Sequence, residues 1–137
     1  MNTRGRFLVK KHISQMSPSE INLLEKRRRE LLKNPKPFRC SKHFLKNSEK
    51  RGISMAESIE TVKEGYIIEY HERISRRRVI DKRILIRSHK VYKNRYNLCV
   101  VCSLWYKSLI TAYYNDKNDH HRTLDYSNYD NRCRIRL

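Results

Sequence analysis

The hydrophobic pattern of this chain changes period at Gly65, and that change limits the fold more than any other feature. Before it, apolar residues recur at helical spacing between recognisable caps; after it, they alternate. Ser17, Pro18 and Glu20 make a helix start: Ser17 can cap, Pro18 suits the first helical position, and Glu20 can reach back to the Ser17 amide. Ile21, Leu24, Arg28, Leu31 and Leu32 follow at helical spacing, and Pro35 and Pro37 end the helix near Asn34. A second helix is expected from 41 to about 50, with Phe44 and Leu45 as its apolar contacts and Gly52 as its stop. Ser54 and Glu57 form another capping box, opening a short helix that carries Ile59 and Val62 and closes on Gly65 as a C′ residue.

Beyond Gly65, residues 66–70, 82–88, 97–104 and 108–114 read as strands. The segments between them are too short for crossover helices, so the strands pair antiparallel. The expected fold is α+β, with N-terminal helices packed on an antiparallel sheet of about four strands. Residues 1–16 read as a basic arm, 17–114 as a single domain, and 115–137 as a polar tail docking through Tyr126 or Tyr129.

Charge narrows the partner. The 137 residues carry 32 Lys and Arg against 14 Asp and Glu, a formal net charge of +18. It is uneven: +8 over residues 1–40, +3 over 41–80 and +7 over 81–137. Such an excess repels itself, and a polyanion relieves the repulsion while releasing counterions. Nucleic acid is the leading partner class and an anionic membrane surface the second. No apolar run approaches the roughly 20 residues of a membrane span, and the basic N-terminus has neither the apolar stretch nor the cleavage site of a signal peptide. The cationic run Lys26, Arg27, Arg28 and Arg29 lies on the first helix and reads either as a solvated face or as a phosphate-tracking surface.

Of the four cysteines, Cys99 and Cys102 have the spacing of zinc and redox pairs. They lie in a β-like run, however, where positions three apart point to opposite faces and cannot share a metal. The cysteines read as small buried hydrophobes, and neither metal nor cofactor is expected. Three glycines leave no phosphate-binding loop, and no acidic cluster of the two-metal type occurs. Phosphodiester chemistry would then be metal-free. That suits RNA, whose 2′-hydroxyl attacks the neighbouring phosphate when an acid and a base move the protons and cations stabilise the charge. The chain has His43, His71, His89, abundant Arg, and Thr111, Tyr113 and Tyr114 at the end of its last strand. Tyr96, Trp105, Tyr106 and Tyr126 are candidates for stacking on splayed bases, with hairpin packing the preferred role for Trp105.

Three motifs carry a resemblance. Ser41-Lys42-His43 is followed, eight residues after the His, by Arg51-Gly52-Ile53-Ser54; Val62-Lys63-Glu64-Gly65 precedes the sheet; Ile110-Thr111-Ala112-Tyr113 forms its last strand. Over residues 40–115 this order resembles the RelE-like, barnase-like and EndoU-like small ribonuclease toxins, with distant similarity to the phage endoribonuclease RegB. The resemblance implies a metal-independent RNA endonuclease of toxin or phage-effector type, acting in the cytoplasm of a bacterial host. RNA, in free or ribosome-associated form, is the implied substrate, with an acidic antitoxin or immunity protein as a second partner. It implies His43 as acid or base, Thr111 and Tyr113 at the scissile phosphate, and Arg51 as a phosphate ligand or a partner of a helix carboxylate. The chain departs from the pattern at Asn47, where the family has an arginine; Arg87, or else Arg83, on the second strand would replace that cation. His71 and His89 match nothing and read as surface or loop residues. The loss at Asn47 leaves a second reading open, a non-catalytic nucleic-acid-binding regulator or host-takeover protein on the same scaffold. A module that docks on an acidic protein is the third.

Overall fold

The computed structural model describes residues 7–119, 129, 130 and 132–137. It is an α+β fold with three helices and one six-stranded mixed sheet. In chain order these are β1 (Phe7–His12), α1 (Pro18–Lys33), β2 (Arg39–Cys40), α2 (Lys42–Arg51), α3 (Met55–Glu64), β3 (Tyr66–Ser75), β4 (Arg78–Tyr92), β5 (Tyr96–Ser103) and β6 (Ser108–Asp116). The sheet order is β1-β3-β4-β5-β6-β2, antiparallel throughout except for the parallel β2–β6 pair.

The helix starts follow the local chemistry. Ser17 and Ser54 each accept a bond from the N3 amide while Glu20 and Glu57 reach back to the cap amide. Gly52 ends α2 in the left-handed conformation at φ 67°, where a side chain is disfavoured. Gly65 serves differently from the expected C′ role. Its backbone is ordinary extended chain at φ −77°, but a Cβ there would sit 2.5 Å from the Arg87 carbonyl and 2.7 Å from that of Thr61. It is a close-approach glycine, letting α3 turn directly into the sheet.

All three helices cover one face of the sheet. Leu24 and Leu31 of α1, Phe44 of α2 and Val62 of α3 pack there against Ile67, Ile84, Ile86, Leu98, Val100 and Leu109. Arginines tie the helices down: Arg28 donates to the Gly65 carbonyl at 2.6 Å and to Glu25, placing a cation at the C-terminal end of α3. Arg27 donates to the Leu104 carbonyl at 2.9 Å.

The sheet has six strands rather than about four because charged sequence hides the outer ones. The supposed basic arm contributes β1, paired along β3, and its Lys11 is buried with Glu20 at 3.0 Å and the Cys133 carbonyl at 2.7 Å. β2 is a two-residue bridge beside β6. The polar tail is also part of the fold. Its Asp130 amide bonds to the Lys10 carbonyl, and Cys133 and Ile135 enter the main core. Tyr129 docks by its hydroxyl on Glu69, whereas Tyr126, His120 and His121 lie outside the described residues.

Candidate nucleic-acid interface on the open sheet face

The period of two sends alternate residues of the sheet away from the helices, and the register aligns them in rows. Across β3, β4, β5 and β6 one row reads Tyr66, Arg87, Cys99, Tyr113; the next reads Glu69, Leu85, Val101, Thr111; the third reads His71, Arg83, Ser103, Ser108. Arg73 and Asp81 continue the same face on β3 and β4. This face is open only in that no described helix covers it: Ile68, Leu85, Cys99 and Val101 form a second apolar cluster there, none more than 7% exposed, and only the margins of the face meet solvent. Cys99 and Cys102 accordingly belong to different clusters on opposite faces. Burial pushes each thiol up to about 12, and among the described residues no group of three or more His, Cys, Asp and Glu is placed to hold a metal.

The register thus brings Arg83, Arg87, Thr111 and Tyr113 onto one face. Their environments differ. Arg87 is only 1% exposed: its guanidinium donates to Asn97 Oδ1 at 2.9 Å, to the Asp116 carbonyl at 3.0 Å and to the Asp119 carbonyl. Those bonds tie the end of β6 to the sheet and enclose the guanidinium expected from sequence as a site cation. Thr111 and Tyr113 are half-exposed. Burial, with Cys99 and Glu69 as neighbours, raises the Tyr113 phenol, so it stays protonated across the neutral range.

His43 stands on α2, which flanks the outer edge of β6. Ser41 caps the helix, accepting from the Phe44 amide at 2.9 Å and donating to the Ile110 carbonyl at 2.8 Å. At the other end Arg51 donates to the Ala112 carbonyl at 2.7 Å, a backbone tie that neither of its two expected roles included. His43 is exposed, and among the described residues its only side-chain hydrogen-bond partner is Asn47, whose amide nitrogen is 3.1 Å from Nδ1. The helix therefore holds an accessible imidazole beside the strand that carries Thr111 and Tyr113.

His71 is not a surface residue. It is 5% exposed, with Nε2 2.7 Å from Glu69, whose other oxygen accepts from Tyr129. Burial alone would raise the Glu69 carboxyl, but the hydrogen bonds from His71 and Tyr129 and the charges of His71 and Lys10 bring it down to about 2. His89 is exposed and its ring lies tilted at 41° against that of Tyr66, centroids 4.9 Å apart.

Toward the β3–β4 hairpin, the open face continues into a cleft of about 530 Å³. Arg39, Arg73 and Arg83 line it with Tyr106, Ser108 and Ile110. Arg83 Nε donates to Asp81 at 2.7 Å. Trp105 and Tyr106, in the β5–β6 turn, are 44% and 56% exposed, so Trp105 is a surface aromatic and not hairpin packing. Of the helical cations, Lys26 and Arg29 are exposed, but Arg27 and Arg28 are engaged by carbonyls on the opposite side of the sheet. Sequence reasoning missed Glu69, Arg39, Arg73 and Asp81. The polar side chains at 69, 71 and 73, spaced by two, were the available signal, blurred by Glu72 between the last pair.

No protein-family model matches the chain, and neither a curated protein nor a solved structure is detectably similar to it. Among the described residues, no helix is long and apolar enough to cross a membrane.

Proposed function

We propose that this protein is a metal-independent RNA endonuclease acting at the β6 margin of the sheet face that the helices leave uncovered. One observation carries the reading: an accessible histidine, His43, stands on the helix beside the strand bearing half-exposed Thr111 and Tyr113, and that strand borders the arginine cleft at Ile110. The motif resemblance over residues 40–115 points to the same three residues.

In this reading His43 takes the proton of a ribose 2′-hydroxyl as its oxygen attacks phosphorus. The P–O5′ bond breaks, and the Tyr113 phenol protonates the departing oxygen, leaving a 2′,3′-cyclic phosphate and a 5′-hydroxyl. Thr111 donates to a non-bridging oxygen, and the cleft arginines hold the flanking phosphates. A positioned acid–base group contributes about 10²–10⁴-fold, so His43→Ala should lose cleavage by that factor. The test is incubation of RNA with pure protein in EDTA, with end groups read by mass spectrometry. Uncut RNA, or a His43→Ala rate equal to wild type, would overturn the reading.

A second reading keeps RNA binding without cleavage, and the burial of Arg87 favours it. With Asn47 at the motif position and the Arg87 guanidinium enclosed, neither of these two positions offers a cation to a phosphate at Thr111 and Tyr113. Under that reading His43→Ala leaves the protein's effect in cells unchanged.

A further inference from the structure

The arginines of this protein divide by whether the protein itself uses them. On the helix side and along the β6 edge, Arg27, Arg28 and Arg51 each donate to a backbone carbonyl. At the hairpin end of the open face the pattern reverses. Among the described residues the side chains of Arg39 and Arg73 make no hydrogen bond, and Arg83 uses only its Nε. The Arg83 side chain is just 13% exposed, yet it lines the cleft, and its terminal nitrogens have no hydrogen-bond acceptor among the described residues.

The cleft wall is also prearranged. Asp81, 4% exposed, accepts from Arg83 and from the Ser103 hydroxyl at 2.7 Å each, and that hydroxyl accepts from the Tyr106 amide at 3.0 Å. One buried carboxylate thereby fixes Arg83 and, through Ser103, the backbone beneath the exposed Tyr106 ring. Its charge is matched by Arg83, so Arg39 and Arg73 remain in excess. At the hairpin tip, Arg76 and Arg77 occupy left-handed positions, φ 50° and 64°, where Asn and Gly are usual. Two arginines therefore stand where backbone preference favours other residues, and strain of this kind concentrates where a segment has a use.

We propose that this end of the open face is a subsite for unpaired nucleotides of RNA, with a phosphate held by Arg39, Arg73 and Arg83 and the adjoining base stacked on Tyr106. A duplex keeps its bases stacked on one another, so only a splayed base can use the tyrosine. The assignment rests on the cleavage reading and deepens it: the subsite adjoins Ile110, next to Thr111, and restricts cutting to single strands.

Trp105 is the sole tryptophan, exposed, with its ring centroid 6.5 Å from that of Tyr106, and it reports binding directly. The experiment titrates the full-length protein with a 2′-O-methyl RNA oligonucleotide, which cannot be cleaved, and follows tryptophan fluorescence. Saturable quenching is expected, with the same oligonucleotide in duplex form binding at least about tenfold more weakly. Tyr106→Ala should weaken single-strand binding about tenfold. Arg73→Gln should weaken it several-fold and lower the salt slope by about one. Equal affinity for duplex, an unquenched signal, tighter binding of the matching DNA strand, or unchanged binding by both Tyr106→Ala and Arg73→Gln would overturn the subsite. Quenching with ordinary RNA left intact would sink the cleavage reading alone; RNA cut without quenching would sink the subsite alone.

Discussion

The two faces of the sheet are built from the same strands but use their polar residues in opposite ways. On the helix face, cations close the structure: Arg28 supplies the missing partners at the end of α3, Arg27 holds the Leu104 carbonyl, and Lys11 joins Glu20 to the C-terminal segment. On the open face the polar groups fall into two sets. Arg87, Glu69 and His71 are enclosed and mutually satisfied or bonded to the C-terminal segment, while Arg39, Arg73, Arg83, Thr111 and Tyr106 meet solvent. Charge by itself thus says little about which cation meets a ligand. Whether the protein has already supplied an acceptor says more, because a guanidinium bonded to buried carbonyls cannot leave them without cost.

The largest effect should come from the helix face. Leu98, fully buried there, should cost about 2–5 kcal/mol when cut to alanine, read by urea unfolding. Arg28→Met should cost about 1–3 kcal/mol by stranding the Gly65 carbonyl, while RNA affinity stays as in wild type. A loss of RNA binding with stability intact would place the interface on α1 instead. Glu69→Gln tests the enclosed set. The carboxyl is held at about 2 in the folded protein against an ordinary 4.5, so the unfolded chain binds more protons between those values. Stability from ionised Glu69 is complete above about pH 4.5 and is lost as pH falls toward 2; the variant should show a flatter stability curve across that window. Identical slopes would mean that the Glu69–His71 pair does not hold the face together. The smallest effect on stability, within about 0.5 kcal/mol, is expected for Arg73→Met, since nothing among the described residues accepts from its side chain.

Local chemistry made the helices legible. Ser17, Ser54 and Gly52 act where their spacing puts them, because caps depend on residues three or four apart. The alternation that sets Arg83 with Arg87, and Thr111 with Tyr113, on one face of its own strand is equally local; only the register joins the two pairs. What stayed hidden depends on distant partners. Lys11 looks like part of a charged arm until Glu20 and the Cys133 carbonyl bury it. The extension of β4 back to Arg78 is masked by consecutive arginines and by a hairpin turn that lacks the usual Asn-Gly. His71 looks like a surface histidine until Glu69 and Tyr129, sixty residues apart, enclose it. The cleft joins Arg39 from β2, Arg73 from β3 and Tyr106 from a turn, a grouping that no spacing along the chain announces.

The contrast between the faces can be tested in one measurement. The protein is photocrosslinked to single-stranded RNA carrying 4-thiouridine, and the crosslinked peptides are mapped by mass spectrometry. The account predicts crosslinks at Trp105, Tyr106, Ile110 and Tyr113, with the α1 surface around Lys26 and Arg29 unlabelled. Crosslinks confined to α1, with the open face clear, would contradict it.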